Sequence, residues 1–165
     1  MDKQQLFQYI DDKALILTDL SDRIWEFAEL SMMEFKSTDA YCDLMEREGF
    51  TVEKNLCGIP TAFSGSFGSG KPVIGILGEF DALSGLSQIA GSAQRQMLAE
   101  DGCGHGCGHN LLGAASLGAA MAIKNAIERG NLSGTVIFTA APARKAAQVR
   151  PSWPGTACSA IWTRL

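Results

Sequence analysis

Ten consecutive residues gather both histidines and two of the five cysteines of this sequence: Asp101-Gly102-Cys103-Gly104-His105-Gly106-Cys107-Gly108-His109-Asn110. Thiolate sulfur and imidazole nitrogen are good ligands for zinc and similar divalent ions. From Cys103 onward every second residue is such a donor, and the intervening glycines free the backbone to bend. His105 and His109 are the two histidines of the chain, and both fall here. Structural zinc sites usually draw ligand pairs from separate segments, and seven consecutive residues would have difficulty closing a tetrahedron alone. The run therefore predicts that only some of the four bind, with other ligands from elsewhere. Three other readings compete. The run is a glycine-rich turn with incidental Cys and His. It is a small structural-zinc module, in which Cys103 and His105 are as essential as Cys107 and His109. Or Cys107 is a nucleophile activated by His105 or His109, although such dyads usually come from separate segments.

A second element is Gly78-Glu79-Phe80-Asp81-Ala82-Leu83, at the carboxyl end of the apolar run Pro72–Gly78. Ligands gather at the carboxyl ends of strands in open α/β sheets. Glu79 and Asp81, emerging near a Cys/His loop, could ligate a metal or orient a ligand; the plain alternative is a solvated strand end. Gly65-Ser66-Phe67-Gly68-Ser69-Gly70-Lys71 imitates a phosphate-binding loop, but Pro72 and then a strand follow. With no helix N-terminus to receive a phosphate, it is expected to be a connection between strands.

The elements that must position these residues are legible as an α/β pattern. Residues 2–50 read as helical, with Leu6, Ile10, Leu15 and Leu17 starting an apolar stripe that Ile24, Trp25, Phe27, Ala28 and Leu30 continue. Thr38 and Asp39 are expected to cap a further helix carrying Tyr41, Leu44 and Met45, ended by Gly49. Strands are expected over 51–55, 60–67, 72–78 and 134–138, the third apolar on both faces as in a central strand. Residues 84–104 read as a long loop of functional kind. Asn110 is the expected N-cap of a helix from Leu111 to about Arg129, whose small residues allow close packing on the sheet.

Composition narrows the function classes. A length of 165 residues fits one domain, and 46% hydrophobic residues supply a core. A net charge of -4 argues against a nucleic-acid partner. No apolar run is long enough to span a bilayer, and the N-terminus lacks a signal-peptide core. Five cysteines, an odd number at irregular spacing, fit reduced thiols and a cytoplasmic location better than a disulfide framework.

From about residue 5 to Phe138 the sequence resembles the zinc-peptidase family of aminoacylases and amidohydrolases, through Glu79-Phe-Asp-Ala-Leu83 and His105-Gly-Cys-Gly-His-Asn110. The resemblance implies an α/β fold, a three-layer catalytic domain here truncated, that holds two divalent ions, zinc or manganese. Cys107 and His109 match the family's Cys-x-His metal ligands, and Asp81 matches the acid that supports the site. Glu79 stands where other branches place a ligating histidine; it and His105, which precedes the ligand pair, are secondary candidates. The implied reaction is hydrolysis of an amide bond in a small molecule of the N-acyl amino acid or p-aminobenzoyl-glutamate type. In the family a glutamate activates water and a second glutamate beside it binds metal.

That glutamate pair is expected just after Phe138, where Thr139-Ala140-Ala141-Pro142-Ala143-Arg144-Lys145 stands instead. Residues 139–165 contain four basic residues and no acid. Back-translated and read one base earlier, Thr139 through Arg150 permit Tyr-Gly-Cys-Pro-Gly-Glu-Glu-Gly-Gly-Ser-Gly-Lys, the family's segment. The sequence thus divides into 1–138, the start of a metallohydrolase catalytic domain, and 139–165, an irregular, out-of-frame tail. The later metal-binding histidine and the family's oligomerisation domain are also missing, so the chain is expected to be inactive. A non-catalytic metal-binding fragment or pseudoenzyme is the alternative.

Overall fold

The computed structural model describes residues 3–141. Three helices open the chain: α1 (Lys3–Asp12), α2 (Ala14–Phe27) and α3 (Phe35–Arg47). Then come β1 (Thr51–Lys54), a single 3-10 turn at Leu56–Gly58, β2 (Phe63–Ser69), β3 (Val73–Gly78), α4 (His109–Glu128) and β4 (Gly134–Ala140). The fold is of the α/β class, with one mixed sheet in the order β1-β2-β4-β3. β4 runs antiparallel to β2, with Gly65 opposite Phe138, and parallel to β3, with Ile76 opposite Phe138.

Alternation along β4 defines the two faces. Val136, Phe138 and Ala140 are fully buried, whereas Thr135, Ile137 and Thr139 are partly exposed. Helices α3 and α4 cover the first face, and α1 and α2 pack on those helices. Four aromatic rings form the centre of the core: Tyr41 on α3, Phe63 on β2, Phe80 after β3 and Phe138 on β4, with centroids 5.4–6.2 Å apart. Each such pair contributes about 0.5–1.5 kcal/mol beyond the area it buries. α4 fits closely because Gly113, Ala114, Leu117, Gly118 and Ala120 form its buried face.

Several local expectations are corrected. The helical run breaks at Lys13 and again at residues 28–34, where Ala28 takes a left-handed conformation. Leu15 is 86% exposed, and α2 buries Leu20, Ser21 and Ile24 instead. Thr38 and Asp39 lie inside α3 rather than at its cap. The first amides of α3, at Lys36 and Ser37, donate to the Glu29 carboxylate, 3.0 and 2.8 Å away, and Glu34 is the N-cap residue. A carboxylate reaching back from the preceding loop thus satisfies those orphan donors.

β3 is an edge strand among the described residues, not a central one, with Ile74 and Leu77 44% and 47% exposed. An apolar run announces burial but not which elements supply the cover. The phosphate-loop imitation Gly65–Lys71 is the end of β2 and the connection to β3, as expected. The tail reading falls almost entirely on residues outside those described; β4 itself extends two residues past Phe138.

Candidate metal centre

Two segments meet to build the site. β3 ends at Gly78, and the chain leaves the sheet through Glu79, Phe80 and Asp81. Phe80 turns into the aromatic core and is 1% exposed. The Cys/His segment is tied to this strand end by a two-residue bridge: the Leu83 amide donates to the Gly104 carbonyl at 3.0 Å, and the Gly104 amide to the Leu83 carbonyl at 2.9 Å. A Cβ at Gly104 would collide with the Leu86 carbonyl oxygen, so only glycine allows this approach. Gly108, at φ +73°, then turns the chain into α4 as its N-cap, and His109 is the first helical residue.

Asn110 is consequently not the cap that sequence predicted. It lies inside the first turn of α4, and its side-chain amide donates to the Ser21 hydroxyl at 3.1 Å, fastening α4 to α2. Its short polar side chain suggested a local backbone partner, but a partner distant in sequence takes the bond.

His109 is the centre of the arrangement. Its Nδ1 lies 2.6 Å from Asp81 Oδ1, and its Nε2 lies 3.3 Å from Glu79 Oε2. The Asp81 side chain is 2% exposed, that of His109 17% and that of Glu79 24%. A buried carboxylate accepting from Nδ1 sets the orientation of the ring and turns Nε2 toward the Glu79 carboxylate. This is how protein carboxylates prepare metal-ligating histidines.

The other sequence candidates are placed differently. His105 Nε2 donates to the Ile24 carbonyl of α2 at 3.0 Å, and its Nδ1 is buried without a partner. Burial is the main cause holding its pKa below the ordinary imidazole value. It therefore anchors the glycine-rich segment to α2. Cys107 is exposed in the turn before α4, and Cys103 is half-buried. Cys42, Cys57, Cys103 and Cys107 are all free thiols. Among the described residues, no three His, Cys, Asp or Glu side chains are grouped so as to hold a metal ion by themselves. The donor set of His109 Nε2 with the Glu79 carboxylate suits a divalent ion as part of a site, with Asp81 behind the imidazole.

Beside this centre, the loop of residues 86–106 and helix α2 enclose an open cleft of about 1050 Å³ walled by Trp25, Leu86, Ile89 and His105. Glu79, Asp81 and His109 do not line it, so the cleft neighbours the centre without containing it.

The sequence reading missed Glu29 and Glu34. Glu29 caps α3, and its carbonyl accepts from the Ala82 amide at 2.7 Å, which holds residues 28–34 against the Asp81 segment. Glu34 is fully buried. The one signal for it in the sequence is an acid set among apolar neighbours, Met32-Met33-Glu34-Phe35.

No family model matches the chain. It is 46% identical over 143 residues to one of the subunits of the p-aminobenzoyl-glutamate hydrolase of Escherichia coli K12, a match covering 84% of this chain and 30% of that protein. Among solved structures, it is similar to a Bacillus subtilis dinuclear metal binding peptidase from the M20 family, at 27% identity and TM-score 0.65 over 80% of this chain and 36% of that one. A candidate aminohydrolase of methicillin-resistant Staphylococcus aureus shares the fold at TM-score 0.70 and 24% identity, over 86% and 35% of the two chains. An aminobenzoyl-glutamate utilization protein of Klebsiella pneumoniae shares it at TM-score 0.56 and 14% identity, over 84% and 39%. The chain thus spans about a third of the length of the relatives it matches. In sequence and in fold, it is similar to proteins of the M20 peptidase and aminohydrolase family.

Proposed function

We propose that this chain carries part of the dinuclear metal centre of an amide-bond hydrolase, with His109 Nε2 as a metal ligand. The observation that carries this reading is the 2.6 Å contact between His109 Nδ1 and Asp81, which turns the opposite ring nitrogen toward the Glu79 carboxylate, 3.3 Å away. In this reading Cys107 swings from its exposed turn to join His109, and Glu79 supplies an oxygen. Zinc and manganese are the ions that suit such donors. A bound divalent ion supplies Lewis-acid chemistry, polarising a carbonyl and making water acidic. The chain's own part is to orient the imidazole and to keep the Asp81 side of the ring dry. Relatives described as hydrolysing p-aminobenzoyl-glutamate and as dinuclear metal binding peptidases support a small amide substrate of the p-aminobenzoyl-glutamate or N-acyl amino acid type. We place the protein in the cytoplasm.

No acid follows β4 in the sequence, and among the described residues no three-ligand group forms. These two facts favour a second reading, in which the 165-residue chain binds metal without turnover. General base catalysis is typically worth roughly 10²–10⁴ in rate, so a chain without its base is expected to lose most activity. Calorimetric titration of the full chain with zinc and with manganese, together with an amidase assay on p-aminobenzoyl-glutamate, separates the readings. Metal binding with turnover supports the hydrolase, and binding without turnover supports the second reading. A chain whose metal affinity is unchanged by His109→Ala refutes both.

A further inference from the structure

The loop that joins α2 to α3, residues 28–34, is held in a costly shape. Ala28 and Met32 both take left-handed conformations, at φ +43° and +73°. Non-glycine residues stay there only where the surrounding structure over-determines them. Apolar burial is not what holds this loop. Leu30, Met32 and Met33 are 39%, 40% and 60% exposed, and Glu34 is buried without a hydrogen-bond partner.

Glu29 supplies the grip, from two ends. One carboxylate oxygen accepts from the Lys36 amide at 3.0 Å, and the other from the Ser37 amide and the Ser37 hydroxyl, each at 2.8 Å. Ser37 is 0% exposed, so this end is anchored in the interior at the start of α3. Hydrogen bonds to a carboxylate are stronger than those between neutral groups. The main-chain carbonyl of Glu29 accepts from the Ala82 amide at 2.7 Å, and Leu30 pairs with Ala82 in a parallel bridge. Ala82 directly follows Asp81. On its other side the same strand end pairs through Leu83 with Gly104. Residues 81–83 are thus gripped between the loop and the glycine-rich segment, and on the loop side the grip depends on one carboxylate. A hydrogen bond as short as that of Asp81 to His109 Nδ1, 2.6 Å, tolerates little displacement of the strand end.

We propose that Glu29 is a positioning residue for the metal centre, acting through Asp81: its carboxylate fixes the loop on α3, so that its carbonyl fixes the strand end from which Asp81 meets His109. The consequence for metal binding rests on the reading of His109 as a ligand; the consequence for the Asp81–His109 contact does not.

Proton magnetic resonance of the metal-free full chain, cold enough to slow exchange, tests the coupling. The Nδ1 proton of His109 should give a far-downfield signal, identified by its absence from His109→Ala. Glu29→Ala should shift or broaden that signal, and Glu29→Gln, which keeps one acceptor oxygen, should shift it less. Leu44→Ala is the control. It deletes a buried side chain from α3 and lowers stability without removing any of these hydrogen bonds, so it should leave the signal at its wild-type position. In calorimetric titration with zinc, Glu29→Ala should bind about tenfold more weakly than wild type, and Leu44→Ala equally well. A merely structural Glu29 would lower the unfolding midpoint and move neither readout. No downfield signal in wild type, a signal unmoved in Glu29→Ala, or the same movement in Leu44→Ala overturns the proposal. If circular dichroism shows Glu29→Ala to be unfolded, Glu29→Gln is judged by the same criteria. A signal that responds to Glu29 in a chain that binds no zinc overturns the metal reading alone.

Discussion

Replacing Gly113 with alanine would push a methyl group into the strand end that carries the metal centre. An ideal Cβ at this position lies 2.7 Å from the Glu79 carbonyl oxygen and 3.2 Å from Tyr41 Cζ, and closer still to the Tyr41 hydroxyl. Neither neighbour can retreat freely. The carbonyl belongs to the backbone, and Tyr41 is fully buried between Phe63, Phe80 and Phe138. Overpacking of this kind typically costs about 1–3 kcal/mol. Against it stands the gain of alanine over glycine inside a helix, about 1 kcal/mol. With two immovable neighbours the clash should fall in the upper part of that range, about 2–3 kcal/mol, leaving a net loss of about 1–2 kcal/mol for Gly113→Ala. Gly118 is the control. Its Cβ would meet Leu17 Cδ1 at 2.8 Å, the far end of a half-buried side chain that can turn away. Gly118→Ala should therefore be neutral or more stable by up to about 1 kcal/mol. Urea unfolding of the two variants decides the matter, with roughly 0.5–1 M expected for the fall in midpoint of Gly113→Ala. Equal stability of Gly113→Ala and wild type, or equal losses in both variants, would refute the reasoning.

Three further outcomes follow from the same structure. Burial raises the Glu34 pKa from 4.5 to about 7, so its contribution to stability is fully present below pH 4.5 and is lost as pH climbs through 7. At about 1.4 kcal/mol per pKa unit, wild type should lose up to about 3 kcal/mol relative to Glu34→Gln between those limits, read from denaturant midpoints at pH 4.5 and 8. Phe138→Ala removes a fully buried ring from the aromatic centre and should cost about 3–5 kcal/mol in the same assay; a loss below about 1 kcal/mol would mean the core is not organised around it. Asp81→Asn should weaken zinc binding by about 10–100-fold in calorimetry while the far-ultraviolet circular dichroism of the fold is retained, and unchanged affinity would remove Asp81 from the site.

That carboxylates emerge near the Cys/His loop was within reach of the residue pattern, because an apolar strand ends before Glu79 and glycines precede a helix of small residues; the pairing of Asp81 with His109 was implied by the family resemblance. The strand positions were legible for the same reason, since period-two patterns and Gly/Pro breaks are local. What was not legible depends on distant partners. Asn110 has a cap residue's side chain, yet Ser21 of α2 takes its hydrogen bond. His105 has a ligand's side chain, yet a carbonyl of α2 holds it. Thr38 has a cap residue's hydroxyl, but it lies inside α3 and donates to the Thr61 carbonyl at 3.0 Å. Glu34 looks like a solvated acid at a helix start, and only the tertiary fold buries it.

The two borders of the sheet differ in how they would treat a passing chain. β1, Thr51-Val52-Glu53-Lys54, presents alternating charges that repel a stranger. β3, Val73-Ile74-Gly75-Ile76-Leu77-Gly78, is uncharged along its whole length, with Lys71 and Pro72 before it and Glu79 after it as its nearest deterrents. Among the described residues no strand pairs with the outer side of β3, which makes it a ready seed for cross-strand growth; this polypeptide should accumulate as insoluble assemblies unless that border is closed.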